Sequence, residues 1–368
     1  MRIAFVYDAV YPYTKGGVEI GIYEISKELS SHCHEVHCFG IKFWKGPDII
    51  EREGVYLHGV CSPAPLYTAS GRRSILKPIH FSLALLPALL KEGRFDVINC
   101  QSFPYFPVFS CKIVSKIKGS KLFVTWYELW GDYWYEYLGW PLGFCGKIVE
   151  RLALTLSSNI ISVSEFTRRK IMRKVDKKIP VIPNGVDYES LKKAKPLEKN
   201  FDVIFIGRLI KEKNVDALLR AIALLKTKHP KIRCCVIGEG PEKSNLVNLA
   251  SSLKIKNNIN FYNFLPAHEK VFSYLKSSKV FALPSSREGF GMVALEANAC
   301  GVPILTIDSE DNAVKDFVKD GVNGKVVKLA DKAIAGGIEQ LFGMKVKIKP
   351  DEYKWSSIAK RLEEVYRA

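Results

Sequence analysis

Apolar and polar positions follow two alternating rhythms along this chain. Short runs of β-branched and aromatic residues read as strands at 3–7, 36–39, 55–60, 97–100, 121–126 and 160–163. Between most of them, apolar residues recur every three or four positions, the period of a helix with one buried face. Those segments are 18–30, 74–91, 106–118, 144–157 and 165–174. The second half repeats the plan. Its predicted strands are 203–206, 233–237, 259–262, 280–283, 303–306 and 325–327, and its predicted helices 215–227, 242–253, 268–277, 292–300, 312–319 and 332–342. Strands that alternate with helices build parallel sheets from βαβ units, so the expected class is α/β. Each half has the size of one doubly wound domain, and such sheets bind ligands outside the carboxyl ends of their strands. Two facing domains would put a site in the cleft between them. The polar stretch 189–200, poor in apolar residues, is the expected linker.

Composition narrows the functional classes. The 368 residues are 47% hydrophobic and 25% charged, ordinary globular usage that excludes global disorder. The net charge of +17 predicts an anionic partner: nucleotide phosphates, nucleic acid or an acidic membrane face. The basic excess is spread over both halves, and no RRM, KH or helix-turn-helix signature accompanies it, which argues against nucleic acid. Nine cysteines, an odd number without a Cys-x-x-Cys pair, read as reduced thiols of a cytoplasmic protein. The opening residues 1–8 read as a strand and loop, not a cleavable signal. The longest apolar run, 81–90, falls far short of the ~20 residues of a spanning helix. His32, Cys33, His34, His37 and Cys38 invite a metal. Strand alternation would put His37 and Cys38 on opposite faces, and no distant ligand pair completes a zinc pattern, so core or turn roles and no metal are expected.

Four motifs carry chemistry. Gly16 and Gly17 follow the first strand and open a helix with Glu19 in its first turn; such amides attract phosphate. Arg208 and Lys213 stand five apart in the loop after the first strand of the second half, suited to a diphosphate. Gly238, Glu239 and Gly240 form a turn after the next strand that exposes amides and one carboxylate. The sharpest motif spans 285–296. Glu288 and Glu296 are eight apart, with Gly289, Phe290, Gly291, Met292 and Val293 between them at the expected start of a helix. Free amides there would bind an anion, and the flanking carboxylates would take sugar hydroxyls on either side of it. One ligand fits the whole set, a nucleoside diphosphate sugar. The same stretch also matches the dinucleotide fingerprint G-x-G-x-x-A, but five residues including Pro284 separate it from its strand, where the fingerprint follows directly.

These residues carry a family resemblance. The E-x7-E of Glu288 and Glu296, the Gly-Arg-Leu-x-x-x-Lys of 207–213, the Pro-Asn-Gly-Val-Asp of 183–187 and the early Gly16-Gly17 occur in this order. Together they resemble the family 4 glycosyltransferases of group 1 type, which are retaining, metal-independent enzymes of the GT-B fold. The resemblance implies two facing Rossmann-like domains with a cleft between them. An acceptor-side domain would span 1–188, with the helix of 353–368 packing back on it, and a donor domain 189–352. It implies that Gly16 and Gly17 lie against the donor diphosphate and that Arg208 and Lys213 neutralise it. Glu296 would bind the ribose hydroxyls. Glu288 and the amides from Phe290 to Val293 would hold the transferred sugar and β-phosphate, and Gly238, Glu239 and the backbone at Leu265 would line the base pocket. No cofactor or metal is implied, in keeping with the absence of an Asp-x-Asp motif. Relatives often read Thr-Trp-His-Glu where this chain has Thr-Trp-Tyr-Glu, which puts Tyr127 at the usual histidine position.

The implied activity is transfer of a sugar to a glycan or lipid-linked acceptor. A non-catalytic nucleotide-sugar binding scaffold and a sugar-nucleotide epimerase of the same fold are the alternatives. The acceptor side is less legible. The aromatic stretch 126–140 would stack on sugars, lie at a membrane interface or form core. Arg72, Arg73 and Lys77 before an apolar helix, and the cations of 168–178, suit either an anionic membrane surface, with peripheral attachment at the inner face, or plain solvated positions.

Overall fold

Seven strands organise the first half of the chain: β1 (Arg2–Val6), β2 (Glu35–Gly40), β3 (Ile49–Arg52), β4 (Val55–Gly59), β5 (Val97–Gln101), β6 (Lys121–Trp126) and β7 (Asn159–Ser162). They lie in the order β3-β4-β2-β1-β5-β6-β7, parallel except for β3, which runs antiparallel to β4 at the edge. The computed structural model describes residues 1–14, 16–63, 74, 76–156, 159–265, 267–346 and 350–368. Arg72 and Arg73 lie outside the described residues. The central strands are buried along their length, as parallel strands covered on both faces must be, and this is why they read as continuous apolar runs. β3 escapes that reading because its Ile-Ile-Glu-Arg is mostly solvent-exposed, the usual guard of a sheet edge.

The helices of this half are α1 (Gly17–Ser31), α2 (Leu76–Lys91), α3 (Phe106–Lys118), α4 (Tyr133–Leu138), α5 (Leu142–Leu156) and α6 (Glu165–Met172). α3 packs against both α2 and α5. α6 begins where the Ser164 side chain accepts from the Thr167 amide and ends earlier than its basic sequence suggests. Arg168 in its first turn pairs with Glu165 at 2.6 Å.

The stretch expected as a linker, 189–200, is corrected by the structure. The chain divides into units at Gly185/Val186, and 189–200 belongs to the second unit. It opens with α7 (Tyr188–Lys193), whose first turn is capped by Asp187 accepting from the Ser190 amide at 3.0 Å. Lys276 Nζ then donates to the Leu191 and Ala194 carbonyls at 2.6 and 2.8 Å. Polarity hid a segment ordered by a cap and a lysine clamp.

The second unit, Val186–Lys354, is built on β8 (Phe201–Ile206), β9 (Cys234–Ile237), β10 (Ile259–Tyr262), β11 (Ser278–Leu283), β12 (Arg287–Glu288), β13 (Ile304–Ile307), β14 (Asp311–Asn312) and β15 (Gly324–Val327). Its six-stranded parallel sheet has the order β10-β9-β8-β11-β13-β15, which reverses between β8 and β11. Around it lie α8 (Val215–Lys228), α9 (Lys243–Ser252), α10 (His268–Lys276), α11 (Met292–Ala299), α12 (Val314–Phe317) and α13 (Asp331–Leu341). The helix expected over 312–319 shrinks to α12, because Asn312 is taken into the short strand β14.

The last helix, α14 (Trp355–Arg367), belongs to the first unit and packs on α1. Trp355, Ile358, Leu362 and Tyr366 form its buried face. The Trp355 ring sits against Gly185 so closely that a Cβ there would come within 2.6 Å of it. Tyr366 Oη accepts from Asn99 Nδ2 at 2.6 Å on the floor of the sheet. Among the described residues no helix is long and apolar enough to cross a membrane.

His37 and Cys38 do face opposite ways from β2. Cys38 Sγ meets Ser26 Oγ of α1 at 3.4 Å. His37 Nδ1 and His58 Nε2 share a hydrogen bond of 2.7 Å, with Glu35 on the other nitrogen of His37 and Arg2 bridging Glu35 and Glu92. Burial holds both imidazoles neutral: His37 is lowered, and His58 is pushed down from 6.5 to about 4, with His37 as its second cause. Protonation therefore opposes folding. The stabilisation is complete above the unfolded value near 6.5 and is lost as pH falls toward about 4. Urea unfolding at pH 7.5 and pH 5 should show a loss of about 2 kcal/mol from His58, and His58→Gln should flatten that dependence.

Candidate functional site

The reversal of strand order in the second unit leaves the carboxyl ends of β8 and β11 side by side, the usual place for a ligand in such a sheet. The loop after β8 carries Gly207 and Arg208, is anchored by the buried Leu209, and makes one tight turn over Lys211–Lys213. It is stitched to the loop after β11. Asn214 Nδ2 donates to the Pro284 carbonyl at 2.8 Å, and the Ser286 amide and hydroxyl both donate to the Glu212 carbonyl, at 2.9 and 3.1 Å. This brings two sequence-predicted residues into contact. Lys213 Nζ donates to Glu288 Oε1, and each side chain is only 14% exposed. Arg208 is exposed on the same loop.

Glu288 is held from its other side by β12, which pairs in parallel with β14. The Ala313 amide donates to the Glu288 carbonyl at 2.8 Å, and Arg287 pairs with Asp311 at 3.1 Å. Behind them Asn312, fully buried, donates to Thr306 Oγ1 and the Ile307 carbonyl and accepts from the Val314 amide. The chain then turns through the buried Gly289 and the half-buried Phe290 to Gly291, which stands at φ +82° immediately before α11. A Cβ on Gly291 would also run into Val314. The first-turn amides of α11, at Met292 and Val293, have no intrahelical acceptors. The dinucleotide fingerprint is displaced from its usual setting here, since β12 lies between β11 and the glycines.

Glu296 sits one turn into α11 and is 2% exposed. One carboxylate oxygen meets His268 Nε2 at 2.8 Å, and the other is buried with no hydrogen-bond partner among the described residues. A buried acceptor left open costs free energy, and nearly all such groups in native proteins are satisfied. An acceptor so placed suits a hydroxyl donor. Ser285 Oγ, on the preceding loop, is likewise buried and unpartnered. His268 was not among the sequence candidates. It lies at the start of α10, and only the fold carries it to Glu296.

Gly238, Glu239 and Gly240 are laced to the Arg208 loop by backbone. The Leu209 amide donates to the Glu239 carbonyl at 2.8 Å, and the Glu242 amide to the Leu209 carbonyl at 3.0 Å. A Cβ on Gly238 would overlap the Gly207 carbonyl, so this approach requires glycine. The Glu239 side chain is exposed, and Leu265 is half-buried after β10.

The remaining candidates belong to the first unit. Gly16 and Gly17 begin α1, and the Glu19 carboxylate folds back to within 2.8 Å of where a Gly16 Cβ would stand. Tyr127 follows β6. It lines a cavity of about 20 Å³ together with Phe5, Asn99, Gln101, Thr125 and Leu362. Burial, aided by Glu19, raises its phenol, so the hydroxyl stays protonated. The aromatic stretch is core in part, with Tyr133, Tyr135 and Tyr137 half-buried. Trp126 and Trp134 are buried, Trp130 stacks on Phe103 at 4.7 Å, and the buried Glu150 accepts from Trp134 Nε1 at 2.6 Å and the Trp130 amide at 3.0 Å. Trp140 is 79% exposed.

Gly291→Ala should cost about 1–3 kcal/mol of stability, measured by denaturant unfolding, because it adds strain at positive φ to a clash with Val314.

Comparisons with known proteins bear on the family and the fold. Residues 187–361 match the family described as glycosyl transferases group 1, and residues 15–190 match glycosyltransferase family 4. The chain is 29% identical over 211 residues to a capsular polysaccharide biosynthesis glycosyltransferase, CapM, of Staphylococcus aureus, covering 53% of this chain and 54% of that one. The match thus spans about half the length of that relative. Among solved structures, a sucrose-phosphate synthase from Thermosynechococcus elongatus superposes with a TM-score of 0.81 at 18% identity, over 100% of this chain and 98% of the other. Anabaena HepE, solved in complex with UDP and glucose, gives 0.75 at 16% identity, over 100% and 99%. These structures share the fold, two Rossmann-like domains of the GT-B kind.

Proposed function

The chain belongs to the group 1, family 4 glycosyltransferases, and on that premise we propose that it transfers a sugar from a nucleoside diphosphate sugar to a glycan or lipid-linked acceptor. The observation that carries the reading is Glu296. A carboxylate buried at the head of α11, with one oxygen on His268 and the other open, is shaped to receive a ribose hydroxyl. HepE, of the same fold, was solved with UDP and with UDP-glucose, which supports a nucleotide sugar as the donor here.

The residues then divide the work. Gly238, Glu239 and Leu265 line the base pocket. Arg208, Lys213 and the amides at the start of α11 meet the diphosphate. As the bond between sugar and phosphate breaks through an oxocarbenium-like state, negative charge grows on the leaving diphosphate. Cations and amides already in place for that charge are usually the largest catalytic contribution. Glu288 keeps Lys213 in position before the donor arrives and faces the transferred sugar afterwards. The first unit has candidate groups of its own, the amides of Gly16 and Gly17 at the head of α1 and the protonated hydroxyl of Tyr127. The reaction proposed is retaining and metal-independent: the acceptor attacks from the face that the leaving group vacates, and a phosphate oxygen takes its proton.

Thermal unfolding with UDP-, GDP- and ADP-sugars tests the reading. One base should stabilise selectively, by about 2.7 kcal/mol at 100 times its Kd, equally with and without EDTA. Glu296→Ala should abolish the shift. No shift with any nucleotide sugar would favour a scaffold, and donor turnover without acceptor an epimerase. Lys213→Ala should lower kcat by about 10²–10³-fold in an acceptor assay while the protein stays folded.

A further inference from the structure

Isolated exposed apolar side chains are normal on any protein. The outer surface of α5 is different. Trp140, in the turn that enters the helix, is followed at intervals of four by Phe144, Ile148 and Leu152. On the adjacent α3, Ile113 and Ile117 repeat the spacing. All six side chains are 43–79% exposed. A spacing of four keeps side chains on one face of a helix, and α3 packs directly on α5, so the two stripes lie on neighbouring helices. Stable folding of the first unit does not need them, since the buried faces of α3 and α5 are supplied by other residues, such as Val108, Cys111 and Val114 on α3 and Ala153 and Leu154 on α5.

The exposed charges that α3 and α5 themselves carry are all positive. α3 carries three lysines and no acidic residue. α5 carries Lys147 and Arg151, and its one carboxylate, Glu150, is buried under Trp130 and Trp134. The neighbouring α2 also lacks acidic residues. Lys147 pairs with the exposed Asp132.

We infer that this α3–α5 face docks the protein on an anionic phospholipid bilayer. Apolar side chains interleaved with cations match a surface that is negative at the headgroups and apolar just beneath, and an exposed tryptophan is suited to the boundary. A second copy of the chain is disfavoured as the occupant, because the same face turned on itself would set lysine against lysine. The inference places the membrane contact on folded helices of the first unit. It does not depend on the transfer reaction.

Co-sedimentation with vesicles is the test. The full chain should bind phosphatidylglycerol–phosphatidylcholine vesicles about tenfold more strongly than pure phosphatidylcholine, and salt should weaken the binding. Trp140→Ser combined with Ile148→Ser should reduce binding about tenfold or more, and Lys112→Gln with Arg151→Gln should remove the preference for the anionic lipid. Both variants should keep the wild-type melting temperature and the shift induced by a nucleotide sugar. Absence of vesicle binding by the wild type, or variants that bind as it does, overturns the inference. So does a wild-type dimer in sedimentation velocity that the Trp140/Ile148 variant dissolves without any vesicle binding. Loss of vesicle binding with an intact nucleotide-sugar shift removes this inference alone. The reverse result removes only the proposed transfer.

Discussion

A parallel sheet must be covered on both faces, and almost everything else in this chain follows from that requirement. Each strand is buried along its length, so it is apolar without alternation. Each connection between neighbouring parallel strands must cross over one face, so a helix follows nearly every strand. In both units the strand order runs outward from a central strand in two directions, and helices on the two sides of that strand cover opposite faces. The first unit completes its cover with α14, which arrives from the far end of the chain and joins α1 through Trp355 and its neighbours. The amphipathic period of α14 makes sense only as a helix that has a sheet to cover.

The same architecture frees the carboxyl ends of the strands for chemistry. In the second unit the loops after β8 and β11 meet at the reversal point and are fastened by bonds from Asn214 and Ser286 to backbone carbonyls. The fastening explains how Lys213 and Glu288, 75 positions apart, form a mostly buried pair. A buried pair of this kind adds little to stability, because desolvation offsets the attraction. Its value lies in holding a cation at a fixed place. Glu296 departs further from stability logic. An open carboxylate oxygen in the interior is a cost that an apolar residue would avoid, and such costs persist where a ligand recovers them.

The strand pattern was legible because burial on both faces is written as composition. Predicted and observed β6 coincide at Lys121–Trp126, and β10 at Ile259–Tyr262. Elements outside the buried sheet were harder. β3 is an exposed edge, α4 lies inside an aromatic cluster without helical period, and α7 owes its order to Asp187 and Lys276, a cap and a clamp that no hydrophobic pattern records. The site was legible to the extent that it is local. Gly291 precedes α11 and Glu296 lies one turn into it, and glycine spacing announces a helix entry. His268 was invisible, because nothing in its neighbourhood marks it and only the packing of α10 and α11 sets it on Glu296.

The sequence by itself determined the class of fold and the succession of buried strands with the helices between them, and it named the charged residues of the candidate site, because these depend on side-chain burial and on short spacings. Tertiary structure alone decided which charges touch, which carboxylate oxygen is left open, and which aromatic residues are core. Trp134 and Trp140 are six apart in one aromatic run, yet one is buried with its indole on Glu150 and the other stands in solvent. That difference comes from contacts between residues distant in the chain, and no local rule carries it.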